Sequence, residues 1–164
     1  MRMHSKIILL ILVLSSVGHF VHAQTDFSGS WTFKGQESVS GQLYSNGSPK
    51  QVSIKQDSKA IVISKVIAGK DGDLTTTETV SLDGQPTEKI TASKRKRTIT
   101  GQWSNSKNSL IEITQLYDPT DSTKLTYKTT DVWILENGRL LLDRKAENLG
   151  NGEIWESKAT YEKQ

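Results

Sequence analysis

The chain has 164 residues, no cysteine, and 21 Lys and Arg against 18 Asp and Glu. That length holds one domain with its own hydrophobic core. The lack of cysteine excludes a disulfide framework, thiol nucleophiles and thiolate metal sites. All the histidines, His4, His19 and His22, fall within residues 1–23. Residues 24–164 therefore lack the commonest general base, the Ser-His relay and imidazole metal ligands. Carboxylates, Lys, Tyr and hydroxyls remain for chemistry, so composition favours binding over catalysis, with no cofactor and no metal expected.

Taken in chain order, residues 1–23 read as an export signal. Arg2 and Lys6 precede an apolar run over 7–20, and "VHA" (21–23) supplies small or apolar residues at the cleavage positions, so cleavage is expected after Ala23. The run is short and is broken by Ser15, Ser16 and Gly18, so no membrane span is expected after cleavage. The expected destination is periplasmic or extracellular. Because Arg2 and Lys6 leave with this segment, the formal net charge of +3 falls nearly to balance. The basic character therefore gives no argument for a nucleic-acid partner.

From residue 24 onward no helical periodicity appears. Apolar residues alternate with polar ones, and "NG" (46–47), "DG" (71–72), "DG" (83–84) and "NG" (137–138) punctuate them. Strands are expected near 30–35, 50–56, 59–68, 74–82, 97–104, 109–117, 124–136, 139–147 and 153–162, with weaker candidates at 39–44 and 87–93. The expected fold is all-β: a domain over 24–164, an antiparallel up-and-down meander closing into a barrel of about 8–10 strands.

Two-residue turns fix register. A type I′ turn at Asn137-Gly138 sets Leu135 opposite Leu140, Trp133 opposite Leu142 and Asp131 opposite Arg144. A turn at Asp71-Gly72 sets Ile61 opposite Leu82, Ile63 opposite Val80 and Lys65 opposite Glu78. The first register puts an ion pair, Asp131 with Arg144, inside an apolar row, in a structural role or orienting a ligand's polar group. Lys65 with Glu78 reads as an exposed, nearly neutral pair. The opposite face carries a second apolar row, Val132, Ile134 and Leu141, suited to a covering loop or another subunit.

The basic cluster "SKRKR" (93–97) reads as a solvated loop or a charged strand edge. "KDGD" (70–73) and "DPTD" (118–121) read as turns, since neither has the ligand spacing of a calcium loop. Trp31 and Phe33 share one face of the first strand, and Trp155 and Tyr161 share one face of the last. With Trp103, Tyr127, Asp131, Trp133 and Arg144 they make the candidate barrel interior for a ligand.

"FSGSW" (27–31) resembles the Gly-x-Trp opening of lipocalin-like and wider calycin barrels, including short secreted lipocalin-like proteins of Bacteroidetes that begin "DFSGxW". Trp133, Leu135, Gly138 and Leu141 are similar to the "W-x-L-x-x-G-x-x-L" hairpin of those proteins. Thr130 and Asp131 match part of the lipocalin Thr-Asp-Tyr motif, with Val132 standing in the tyrosine's place. The resemblance implies that Trp31 packs across the closed barrel end, with Arg144 as the arginine over it, and that the barrel binds a small, largely apolar ligand. The leading expectation is thus an exported, non-enzymatic ligand-binding barrel. The alternatives are an interaction module or homodimer using the Val132, Ile134 and Leu141 row, and a carboxylate-based carbohydrate hydrolase.

Overall fold

The computed structural model describes residues 24–41 and 47–164, except for the Ser38 side chain. The expected export signal lies outside the described residues. Among the described residues ten strands follow one another: β1 (Gly29–Ser40), β2 (Gln51–Gln56), β3 (Ala60–Gly69), β4 (Gly72–Ser81), β5 (Thr87–Ile90), β6 (Lys96–Trp103), β7 (Ser109–Tyr117), β8 (Leu125–Glu136), β9 (Arg139–Asn148) and β10 (Glu153–Lys163). The weak candidate at 39–44 is not a separate strand over the residues described, because β1 itself runs on to Ser40.

The strands form one antiparallel sheet in the order β4-β3-β2-β1-β10-β9-β8-β7-β6-β5. Every neighbour is sequential except β1 with β10, whose pairing of Trp31 with Lys163 and Phe33 with Tyr161 curls the meander round on itself. The sheet's two edges, β4 and β5, are not paired with one another. Across this seam β6 approaches β4 at Gly101, where a Cβ would run into Val80 Cγ1 and crowd Ser81 O. The result is a nearly closed up-and-down barrel.

The β8–β9 hairpin has the expected register: Leu135 opposite Leu140, Trp133 opposite Leu142 and Asp131 opposite Arg144. Asn137 (φ 51°) and Gly138 (φ 75°) are both left-handed, as a type I′ turn requires. The β3–β4 hairpin corrects the expectation by two residues: Ile61 pairs with Val80, Ile63 with Glu78 and Lys65 with Thr76. Lys70 and Asp71 form its turn, and Gly72 begins β4. A slip of two leaves every side chain on its original face, so apolar alternation could not distinguish the two registers.

A packed core fills one end of the barrel, with Trp31, Val52, Ile54, Ile61, Ile63, Val80, Ile99, Leu110, Trp133, Leu140, Leu142 and Tyr161 buried together. Phe27 seals that end. It is fully buried, stacks on Trp103 at 5.8 Å, and its carbonyl accepts a 3.1 Å hydrogen bond from Trp31 Nε1. Gln56 ties the preceding segment down by accepting from Phe27 N and donating to Thr25 O. Gly29, at φ +145°, adopts a conformation that side-chain-bearing residues rarely reach, and a Cβ there would stand 2.9 Å from Lys163 Cε. Lys163 Nζ lies over the Trp31 ring, 5.5 Å from its centroid. The cation over this tryptophan is therefore Lys163 and not Arg144, because Arg144 is committed to Asp131 further along the barrel.

Candidate functional site

Beyond the packed end, six charged side chains from six strands converge inside the barrel. Arg144 grips Asp131 with both arms of its guanidinium, Nε to Oδ1 at 2.7 Å and Nη2 to Oδ2 at 2.6 Å. Lys65 Nζ reaches Glu112 Oε1 at 3.2 Å and Oε2 at 3.3 Å, with Asp131 Oδ2 at 3.7 Å. Trp133 Nε1 donates to Glu112 Oε2 at 3.0 Å, and Lys65 also lies over the Trp133 ring. Arg97 pairs with Glu78 across the β4–β6 seam. Lys65, Glu78, Glu112 and Asp131 retain 7, 6, 2 and 3 % of their exposure.

The layer holds three cations and three carboxylates. Burial alone would raise the Asp131 pKa, but the Arg144 guanidinium, supported by Lys65, outweighs it and holds the carboxyl below the usual aspartate value. The same contact holds Arg144 above its ordinary value against the cost of burial. From above, the 47–49 segment closes on this pair: Gly47 O accepts from Arg144 Nη1, and Pro49 is buried. Tyr161 is fully buried below, and among the described residues its hydroxyl has no hydrogen bond of good geometry. Burial raises its pKa, with Arg144 and Ser48 offsetting this only in part.

The expectation that Lys65 and Glu78 form an exposed pair is overturned. Both are buried, and each takes its counter-charge from another strand, Lys65 from β7 and β8 and Glu78 from β6. Two other participants were missed by the sequence reading. Glu112 stands between Leu110 and Thr114 on the inward face of β7, and a lone acid at an apolar position of an alternating strand was the signal for it. Arg97 belongs to the "SKRKR" cluster, which the fold disperses. Arg95 donates to Tyr117 O, Lys96 pairs with Glu88 and lies over the Tyr117 ring, and Arg97 turns inward. The acids of "DPTD" accept hydrogen bonds within their own loop, Asp118 from Thr120 N and Asp121 from Thr123 N.

The nine candidate interior residues fall into three groups. Trp31, Phe33, Trp103, Trp133 and Tyr161 belong to the packed end or lie against it. Asp131 and Arg144 belong to the charged layer. Tyr127 and Trp155 stand on the far side of that layer, with ring centroids 6.4 Å apart, and both are half-buried. Thr114, Leu116, Thr129 and Ser157 face inward near them by strand alternation, and Thr76 faces inward on β4 opposite Lys65; all are half-buried. This half of the barrel is its mouth. On the outside, Ile134 pairs with Leu141, and with Val132 they line two shallow grooves edged by Lys158 and Asp143.

No protein-family model matches the chain, and no curated protein matches it. Among solved structures it is similar to a zebrafish ileal bile acid-binding protein crystallised with cholic acid. The likeness has 14% identity and a TM-score of 0.47, over 84% of this chain and 98% of that one.

Proposed function

We propose that this protein is a non-catalytic barrel that takes a small, largely apolar molecule into its mouth, and that it is exported under the direction of residues 1–23. The observation carrying the reading is the asymmetry of the interior. On one side of the charged layer the inward side chains are packed and buried, and on the other Tyr127, Trp155, Leu116 and Thr129 remain half-exposed. Inward-facing aromatic surface in contact with solvent, backed by a rigid floor, is what a small-molecule site requires. The floor supports binding rather than hydrolysis, since Glu112 and Asp131 are buried in ion pairs and do not line an open cleft.

The test is uptake of the uncharged dye N-phenyl-naphthylamine, followed by its fluorescence. Saturable uptake is expected, weakened up to about tenfold by Trp155→Ala, given about 0.5–1.5 kcal/mol for an aromatic pair. Phe27→Leu at the packed end should leave it unchanged. No uptake, or equal loss in the two variants, overturns the reading.

A second reading is favoured by the outer apolar row. Val132, Ile134 and Leu141, beside exposed Val39, suit docking of a second copy of the chain. Sedimentation showing a monomer at all concentrations overturns it.

A further inference from the structure

We infer that the mouth selects an uncharged ligand bearing a hydroxyl or carbonyl group, and discriminates against carboxylates and ammonium ions. The inference rests on the mouth-binding reading and specifies its ligand class. Two independent features of the interior carry it.

The first is that the floor is charge-compensated. Asp131 takes both arms of Arg144, Glu112 takes Lys65, and Glu78 takes Arg97. An entering anion would find each cation already paired with a buried carboxylate, and an entering cation would find each carboxylate's charge already matched, although Glu78 Oε2 lacks a hydrogen bond among the described residues. Either ion would lose hydration without gaining an unmatched counter-charge, which is strongly unfavourable in a site shielded from water. Lys89 shares the inward parity of β5 opposite Arg97, but it is exposed at the seam, where solvent screens its charge.

The second feature is a tier of threonines above the acids. Two residues toward the mouth from each buried carboxylate, on the same strand and the same face, stands a threonine: Thr76 after Glu78, Thr114 after Glu112 and Thr129 after Asp131. Thr114 and Thr129 are direct cross-strand partners. All three are half-buried, and among the described residues none of their hydroxyls makes a hydrogen bond. Each hydroxyl can donate one bond and accept two. The tier thus offers neutral, two-way hydrogen bonding where a ligand's polar group would arrive, while Tyr127 and Trp155 provide amphipathic surface for its body.

The experiment uses the full chain and three probes of one length, decanol, decanoate and decylammonium, titrated calorimetrically at neutral pH. Decanol is expected to bind at least about tenfold more tightly than either ion. Thr114→Val with Thr129→Val keeps the side-chain shape, and should weaken decanol about fivefold or more while leaving decanoate unchanged. Glu78→Gln leaves Arg97, whose side chain keeps 28% exposure, without its counter-charge, and should raise decanoate affinity relative to decanol by about tenfold. If Glu78→Gln does not fold, the threonine pair still decides. Equal or tighter binding of either ion by the wild type, or threonine variants without effect on decanol, overturns the inference alone. Failure of all three probes to bind overturns the mouth-binding reading and this inference with it.

Discussion

Asp131 shows how much one side chain can carry in this interior. Its carboxylate holds Arg144 through two hydrogen bonds and lies 3.7 Å from Lys65. Asp131→Asn would leave those cations under-compensated, and removing one partner of a buried pair costs about 3–5 kcal/mol. Urea unfolding at neutral pH should show a loss of that size. Tyr161 behaves in the opposite sense. Among the described residues its buried hydroxyl lacks a well-formed hydrogen bond, so Tyr161→Phe should be neutral or stabilising by up to about 1 kcal/mol. A larger loss in the same assay would mean that the hydroxyl is bonded in solution, with Ser48 the partner to test. Sequence made the Asp131–Arg144 pair legible because the Asn137-Gly138 turn fixes its register. It did not reveal Glu112 or Arg97, because their partners lie across the barrel, beyond the reach of any hairpin argument.

At the level of strands, alternation and turn residues located eight of the ten closely, while β1, expected to end near 35, runs on to Ser40 and β5 was only a weak candidate. That strand has four residues and pairs on one side alone, with β6, so it carries little periodic signal. The β3–β4 register failed for a specific reason: Lys65 and Glu78 resemble a cross-strand pair, yet both serve contacts with other strands. The seam itself depends on the close approach at Gly101. Gly101→Ala would force a methyl into Val80 Cγ1 and Ser81 O, and over-packing of this kind costs about 1–3 kcal/mol. Amide exchange should accelerate in β4 and β6 more than in β8 and β9. Uniform acceleration would argue that the seam is not a separate weak point.

For the molecule as a whole, the charged layer divides the packed end from the half-buried end of the barrel, and it makes stability depend on pH. The Asp131 pKa is held below its unfolded value of about 3.9. Its contribution is therefore present above that value and is lost as the pH falls through the lower folded value. Unfolding midpoints should fall steeply below about pH 4, and Asp131→Asn should flatten that decline. An equally steep decline in the variant would assign it to other carboxylates.

The unpaired seam also bears on how the barrel folds. Every ladder joins consecutive strands except β1 with β10, the one pairing that must wait for the ends of the chain to meet. Gln164 N donates to Ser30 O, so Gln164 already lies beside the start of β1, and the loop between β4 and β5 crosses a boundary without a ladder. A circular permutant opened between Asp83 and Pro86, with Gln164 linked to Gln24, would run from β5 through β10 and β1 to β4. All its ladders would then join neighbours in sequence. Such a chain keeps the same architecture with a much lower mean sequence separation between contacts, and should refold faster in stopped-flow experiments at similar stability.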